Sequence, residues 1–386
     1  MKRREFIQKT AGIAAAAAGL RARADAATAT APPPVNAAII GQIPDGLNAY
    51  GHKLDLIFAG RPGVEVVAVA DPNAEHRAAA QQRTGARRAY ADYREMLERE
   101  RPQLVSVAVL ASVHHYAIVK AALAAGAHVL CEKPMTRSLA EADELLALAD
   151  RSGRKLAFAH QLRLYPATLH LKRRLDDGLI GELLEIRMHG KQDQRAGGED
   201  LVVLGTHLCD LARFFAGEPE WCSARVLQGG REIVAADAHS VSPDIGPIAG
   251  DEITAMVAFP HGVNVHYTSR EKNAVAAGLW GMEFIGSRGA ARLSFYMSPQ
   301  LSLRHDGAWR PLENDPTATT STADRLAGNR VLVDDWLAAI AENREPVCNG
   351  FAAMKALEMI HAIFTAGLSR GRVELPLKNR QHPLAS

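Results

Sequence analysis

From residue 35 onward, hydrophobic positions fall into short β-branched runs separated by stretches with helical spacing. Residues 35–41, VNAAIIG, read as a buried parallel strand ending at a glycine turn. Residues 64–70 form a second such run, stopped by Asp71-Pro72. Residues 104–110, 128–131 and 155–159 predict three more strands. Between them, helical patterns are expected around residues 52–59, 115–125 and 138–151. The last opens with Ser138 and Glu141 at the spacing of a capping box. Strand and helix in alternation imply right-handed crossovers, and so an α/β, doubly wound parallel sheet.

After about Gln161 the period changes. Ile253, Ala255, Val257 and Phe259 alternate with polar or smaller neighbours, Pro260-His261-Gly262 makes a turn, and Val263, Val265 and Tyr267 resume the alternation. That predicts an antiparallel hairpin with one buried face. Residues 282–285 and 291–295, separated by residues 286–289, predict another. Two helices follow, one carrying Val333, Trp336, Leu337 and Ile340, the other spanning about 351–368. A second, mainly antiparallel α+β domain is therefore expected.

The first residues obey different rules. Arg3-Arg4-Glu5-Phe6-Ile7 precedes an Ala- and Gly-rich run and small residues suited to peptidase cleavage. This is the pattern of a twin-arginine export signal and implies an exported, periplasmic protein served by that machinery. The expected organisation is a signal and linker at 1–30, a nucleotide-binding domain at 31–160 and a substrate domain at 161–386. Apolar residues make up 47% of the chain and charged ones 23%, which describes a globular protein. The net charge of +2 is spread without a basic stripe, so nucleic acid is not an expected partner. No apolar run after the signal approaches a membrane span, so no membrane contact is expected either. Cys131, Cys209, Cys222 and Cys348 are scattered. Folding in a reducing compartment before export would leave them as buried thiols.

Candidate chemistry sits at strand ends. Gly41, Gly46 and Gly51 follow the first strand at wider spacing than a dinucleotide fingerprint, and Gly41 alone also reads as a plain strand-to-loop turn. Asp71 ends the second strand, where a carboxylate can accept bonds from ribose hydroxyls and repel a 2′-phosphate. It favours NAD over NADP, although Asp71-Pro72-Asn73 is also a good turn starter. Lys133, just beyond residues 128–131, lies where open α/β sheets bind ligands. No HxxxH or clustered Cys/His pattern occurs, so no metal is expected, and no G-x-S-x-G elbow supports serine chemistry.

Residues 121–135, AALAAGAHVLCEKPM, closely resemble the Gfo/Idh/MocA family, the group of glucose-fructose oxidoreductase and inositol dehydrogenase. The resemblance extends through Arg163-Leu164-Tyr165-Pro166, residues 178–182, 286–289 and 331–340 to the end of the chain. It implies a Rossmann-type domain followed by an α+β domain with a large, mainly antiparallel open sheet, through which such proteins often pair. Carried over, Lys133 stands beside nicotinamide and substrate, with Glu132 and Pro134 shaping its approach. His115 and Arg163 are placed near the cofactor.

The same resemblance covers residues 197–210 and makes His207 the residue that takes or gives the hydroxyl proton. Chemically, oxidising a carbinol requires a base at its O–H, and imidazole suits neutral pH. The family's acidic residue four positions earlier is Val203 here. Asp210, at i+3, is a candidate to orient His207 or to contact substrate, although the resemblance more often implies that this position points to structure. Asp200 reads equally as a helix cap or, with Glu199, as a grip on sugar hydroxyls. The expected function is an NAD(P)-dependent sugar, cyclitol or polyol oxidoreductase whose NAD is tightly bound, because an exported enzyme has no soluble pool of it. Two alternatives stand beside it. One is a redox-neutral glycosidase or lyase acting through a transient ketone, and the other is a non-catalytic, NAD-loaded sugar-binding protein.

Overall fold

The computed structural model describes residues 34–42, 50–271, 279–295, 300–312, 315 and 327–385. The residues expected to form an export signal, and Gly46, lie outside them. Residues 35–386 form one compact unit built on two sheets.

The first sheet has six parallel strands: β1 (Val35–Ile40), β2 (Val64–Ala70), β3 (Arg88–Tyr90), β4 (Leu104–Val107), β5 (His128–Cys131) and β6 (Leu156–Phe158), in the order β3-β2-β1-β4-β5-β6. Chain direction across the sheet reverses between β1 and β4, so a crevice opens there above the carboxyl ends of the strands. β1, β2, β4, β5 and β6 are the expected strands, β4 ending three residues early. The three-residue β3 was not expected, because Arg88-Ala89-Tyr90 is too short to show a period. Helices Ala74–Thr84 and Tyr93–Glu100 begin at Asn73 and Asp92, whose side chains accept from backbone N–H groups of the first turn. Helix Leu139–Ser152 starts at Ser138, whose hydroxyl accepts from Glu141 N at 3.2 Å. The return arm from Glu141 reaches Arg137 N instead of Ser138 N.

The helix expected around 52–59 is replaced by a six-residue 3-10 segment, Gly51–Leu56. His52 (φ 42°) and Lys53 (φ 55°) take left-handed backbone there, costly for side-chain-bearing residues.

The second sheet is mixed and mainly antiparallel. Its strands are β7 (Leu183–His189), β8 (Trp221–Gln228), β9 (Arg231–Glu232), β10 (Glu252–Ala258), β11 (Asn264–Arg270), β12 (Gly281–Gly286), β13 (Ala290–Ser294), β14 (Gln300–His305), β15 (Ala308–Pro311) and β16 (Val373–Glu374). β10 and β11 form the expected hairpin, in register from Glu252↔Arg270 to Ala258↔Asn264. Ile253, Ala255, Val257, Val265 and Tyr267 face its buried side. β12 and β13 form the second hairpin, and β7 runs parallel to β11.

The two final helices tie the sheets together. Helix Ala327–Ala341 buries Val333 and Trp336 against the first sheet, with Trp336 near Phe58. Helix Gly350–Ser369 is long and apolar enough to cross a membrane, contrary to the expectation that no such run exists. Yet 78% of its apolar window is buried, with residues in both cores, as a central packing helix requires. All four cysteines are buried free thiols.

Candidate active site

Above β1, β2 and β4 the crevice encloses about 320 Å³. It is lined among others by Gly41, Gln42, Asp71, Tyr93 and His114, with Ile40, Val109 and Ile118 as apolar wall. Its size and character match small-ligand sites. Flat apolar walls suit a purine, and a carboxylate at the end of β2 suits ribose hydroxyls, so the residues present fit the adenosine half of a dinucleotide. Asp71 is 1% exposed and accepts from Tyr50 Oη at 2.6 Å and from Asn73 N at 2.8 Å. The turn reading of Asp71 therefore holds together with its place in the crevice. Gly41 matters in two ways: it lines the crevice, and a Cβ there would meet the Tyr50 ring at 2.4 Å.

Gly51 departs from its expected role as a phosphate-binding glycine. A Cβ on Gly51 would meet Glu132 Oε1 at 2.5 Å, so glycine admits the Glu132 carboxylate beneath the 50–52 turn. Likewise it is His114 that lines the crevice. His115 is fully buried behind it, with Nδ1 2.8 Å from Pro134 O and Nε2 2.7 Å from Val109 O. Burial drives the His115 pKa down, so the neutral ring donates to one of these carbonyls at a time. It fastens the Glu132-Lys133-Pro134 turn to the end of β4 and is not itself a wall of the crevice.

Beyond β5, Glu132, Lys133, His207 and His160 form a buried cluster, with the partly exposed His52 at its edge. Lys133, 6% exposed, donates from Nζ to Val203 O at 2.9 Å. Val203 lies in a π turn, Leu201–Gly205, inside the run from Gly198 to Ala216. Such a turn re-aims carbonyls relative to the α ladder and often marks functional sites. Thus the main chain at position 203 supplies an oxygen to Lys133 although its side chain is aliphatic. Burial pushes the Lys133 pKa down, with Glu132 opposing and Arg195 adding to the fall. His207, 2% exposed, sits one turn further along the helix. Its Nδ1 is buried without a hydrogen-bond partner. Burial, then Lys133, His160 and His52, hold its pKa well below 6.5, leaving a neutral imidazole able to accept a proton.

Two further imidazoles flank His207 edge-on, His52 at 5.8 Å and His160 at 5.6 Å between ring centroids. His52 Nδ1 lies 2.7 Å from Glu132 Oε1, while Glu132 Oε2 accepts from Lys133 N. Burial alone would raise the Glu132 pKa, but His52 and Lys133 outweigh it and the carboxyl stays ionised. His160 Nε2 is 3.0 Å from Thr206 Oγ1, and burial pushes its pKa down to about 4.

Three expected site residues belong elsewhere. Asp210, 1% exposed, does not orient His207. It receives Arg163 through Nε at 3.0 Å and through a second, shorter bond from the guanidinium, which also lies over the Phe214 ring. Arg163 and Asp210 are thus a clamp between the segment after β6 and the helix Thr206–Ala216, and neither lines the dinucleotide crevice. Asp200 does not cap the helix, and its carboxylate is taken up by the surrounding chain. Fully buried, it accepts from Ser269 Oγ at 2.6 Å and from the backbone N–H groups of Lys191 and Gln192 at 3.2 Å, pinning the 190s segment to β11. The N-terminal cap is Gly197. Glu199 is half-buried, and burial raises its pKa against the pull of Arg195.

The sequence reading missed His52, His160 and Arg195. His160 stands just beyond β6, a strand-end position that the ligand-crevice rule could have flagged. His52 depends on the left-handed turn after Gly51, and Arg195 on its reach to Asp193 at 2.8 Å beside Lys133. His52 has no local signal, and Arg195 shows only its pairing two residues back with Asp193, not its nearness to Lys133.

Two family models match: an oxidoreductase family with an NAD-binding Rossmann fold over residues 35–160, and the GFO/IDH/MocA C-terminal domain over residues 168–292. A D-apiose dehydrogenase of Paraburkholderia graminis is 27% identical over 338 residues, 83% of this chain and 86% of its own length. A D-glucoside 3-dehydrogenase of Escherichia coli is 29% identical over 200 residues, 48% of this chain and 55% of its own, so the chain spans just over half of that relative. Among solved structures, a levoglucosan dehydrogenase complexed with NADH and L-sorbose superposes with a TM-score of 0.72 at 21% identity, covering 89% of this chain and 99% of the other. At that identity the likeness shows the fold.

Proposed function

We propose that this chain, which belongs to the Gfo/Idh/MocA family of NAD(P)-binding oxidoreductases, interconverts a hydroxyl and a carbonyl carbon of a sugar, cyclitol or related polyol. The observation that carries the reading is the meeting of Lys133, from the end of β5, with the neutral imidazole of His207, from a helix packed on the second sheet. The dehydrogenases among its relatives act on apiose, levoglucosan and glucosides, which supports a carbohydrate-like substrate.

When bound, the nicotinamide supplies the hydride chemistry. The crevice residues would hold its adenosine half, with Asp71 on the ribose hydroxyls and against a 2′-phosphate, favouring NAD. Lys133 keeps donors beyond the one spent on Val203 O and directs them to the substrate oxygen, where they stabilise developing negative charge. His207 takes the hydroxyl proton in oxidation and returns it in reduction. The low-dielectric surroundings strengthen both interactions.

Export by a twin-arginine signal at residues 1–30 would place the enzyme in the periplasm, away from soluble dinucleotide. The cofactor is then tightly held and recycled in place. The half-exposed polar side of the second sheet, carrying Glu185, Arg187 and Arg292, supports pairing of two copies there. The test is to screen a panel of sugars and cyclitols for a change in nicotinamide absorbance of the purified protein, with NAD supplied. Reduction by at least one polyol is expected, and silence across the panel overturns the reading. Denaturing the dialysed protein should release NAD in near-stoichiometric amount, and a yield near zero overturns tight binding.

A further inference from the structure

We propose that His52, held by Glu132, carries the hydroxyl proton between His207 and solvent. The inference rests on the function proposed above and assigns a role to residues that it left unused. The helix itself gives His207 no proton acceptor. One turn before it stands Val203, whose side chain is aliphatic and whose carbonyl is taken by Lys133. On its other side Asp210 is committed to Arg163. Yet His207 Nδ1 is buried and unpartnered, and a buried ring nitrogen left without a partner calls for an explanation.

Two rings stand next to it, and their surroundings decide between them. His160 is 2% exposed, bonded to a neutral hydroxyl and without a carboxylate of its own, so it has nowhere to send a proton. His52 differs on each count. Its side chain is 31% exposed, it touches the fully buried Glu132 at 2.7 Å, and its ring meets His207 edge-on at 87°. Because Glu132 is ionised, His52 Nδ1 donates in that contact, and Nε2 is the ring nitrogen left to exchange a proton. The fold is arranged to hold this ring. Gly51 makes room for the carboxylate, the left-handed backbone at His52 and Lys53 turns the chain, and Asn329 Nδ2 donates to His52 O at 2.6 Å. The charged and titratable neighbours of the pair are Lys133 and His160 beside His207, and Glu132 beside His52.

In oxidation the substrate O–H bond breaks and its proton goes to one nitrogen of His207. An oxidised nicotinamide, when bound, would take the C–H pair as hydride, and a carbonyl would remain. His207 then gives the proton on its other nitrogen to His52 Nε2 across one bridging water, because the rings, with centroids 5.8 Å apart, share no direct hydrogen bond. Glu132 stabilises the resulting imidazolium until its exposed edge releases one proton to water. Reduction runs the same path backward.

The experiment compares wild type with His52→Ala, His52→Gln and Glu132→Gln in the NAD-loaded enzyme. Expected is a loss of about a hundredfold in turnover for His52→Ala and His52→Gln, the scale of one proton-transfer group. NAD affinity and KM should stay within about threefold. Glu132→Gln should lose less and shift the pH profile of turnover. Added imidazole should restore His52→Ala, which a purely architectural role would not allow. Turnover within threefold of wild type in both His52 variants, or loss without imidazole rescue in a variant that still binds NAD, overturns the proposal. If His52→Ala fails to fold, His52→Gln is judged by its pH profile, and an unchanged profile overturns it. If wild type oxidises no polyol, the functional reading fails on its own. The contact is then read in the ligand-free protein from the nitrogen shifts of His207. Their indifference to His52→Gln would overturn the link.

Discussion

Two buried polar clusters lie one turn apart on the helix Thr206–Ala216, and they are built by opposite rules. At Asp210 a carboxylate meets a guanidinium in a two-pronged pair, charge against charge, with an aromatic ring beneath. At His207 a neutral imidazole with an unpartnered nitrogen stands near an ammonium that bonds a main-chain carbonyl instead of a carboxylate. Both are inaccessible, so burial alone does not tell them apart. The first has its desolvation offset internally, as a structural pair must. The second does not, and groups held with unmet bonding capacity inside a cleft are what chemistry on a bound ligand requires.

The comparison breaks most sharply at Lys133. Lys133→Met should lower turnover by about a thousandfold or more, since it removes the charge facing the reacting oxygen. NAD affinity, measured by titration calorimetry, should move only a few-fold. Thermal stability should change less than in Arg163→Met, because Lys133 Nζ bonds a main-chain carbonyl and makes no direct ion pair with the nearby Glu132. A variant that loses turnover and stability together would put Lys133 in the same class as Arg163.

Arg163→Met should behave the other way. It leaves Asp210 charged and unpaired in the interior, a loss of about 3–5 kcal/mol by denaturant unfolding. The double variant Arg163→Met with Asp210→Leu should recover much of that loss. Turnover per folded molecule should fall far less than in Lys133→Met. If Arg163→Met keeps its stability but loses NAD binding, the clamp is instead a cofactor contact.

The imidazole cluster adds a pH dependence. His160 is held down to about 4 by burial, against 6.5 when free. Between those values only the unfolded chain takes up the proton. The stability His160 contributes is therefore complete above pH 6.5 and is lost as pH falls toward 4. The amount is at most about 3 kcal/mol. His160→Gln should flatten the acid limb of the stability curve relative to wild type, and an unchanged limb would mean that His160 is charged in the fold.

This contrast also marks what could be read from the residue string. Most strands of the first sheet were legible as short, mainly apolar runs, whereas the three-residue β3 was not. The 252–270 hairpin was legible because its period is two. Lys133 and His207 were legible through their motifs. Arg163 and Asp210 stand in two different motifs, 47 residues apart, and nothing local says that they spend their charge on each other. Asp200 shows the same blindness, since its partners Ser269, Lys191 and Gln192 come from β11 and a loop. His52 reaches the site only through a left-handed turn that a helical period hides. Pairings across the fold decide which polar residue is architecture and which is free to react.

The finest test lies at the crevice, where one residue mixes both roles. Tyr50 packs its ring on Gly41 and donates its hydroxyl to Asp71 Oδ2, and burial pushes its pKa up, so it remains a donor at any physiological pH. An arriving ribose hydroxyl seeks the same oxygen. Tyr50→Phe keeps the ring but removes the competing donor, leaving Asp71 with one bond, from Asn73 N. The free protein should lose about 1–2 kcal/mol of stability, the worth of a hydrogen bond to a charged acceptor. NAD should bind a few-fold tighter, because the ligand now repairs that loss where before it had to displace a bond. Melting and calorimetric titration of one variant thus give opposite signs if the hydroxyl is a placeholder for ribose. A fall in NAD affinity would show that the Tyr50 hydroxyl touches the dinucleotide itself.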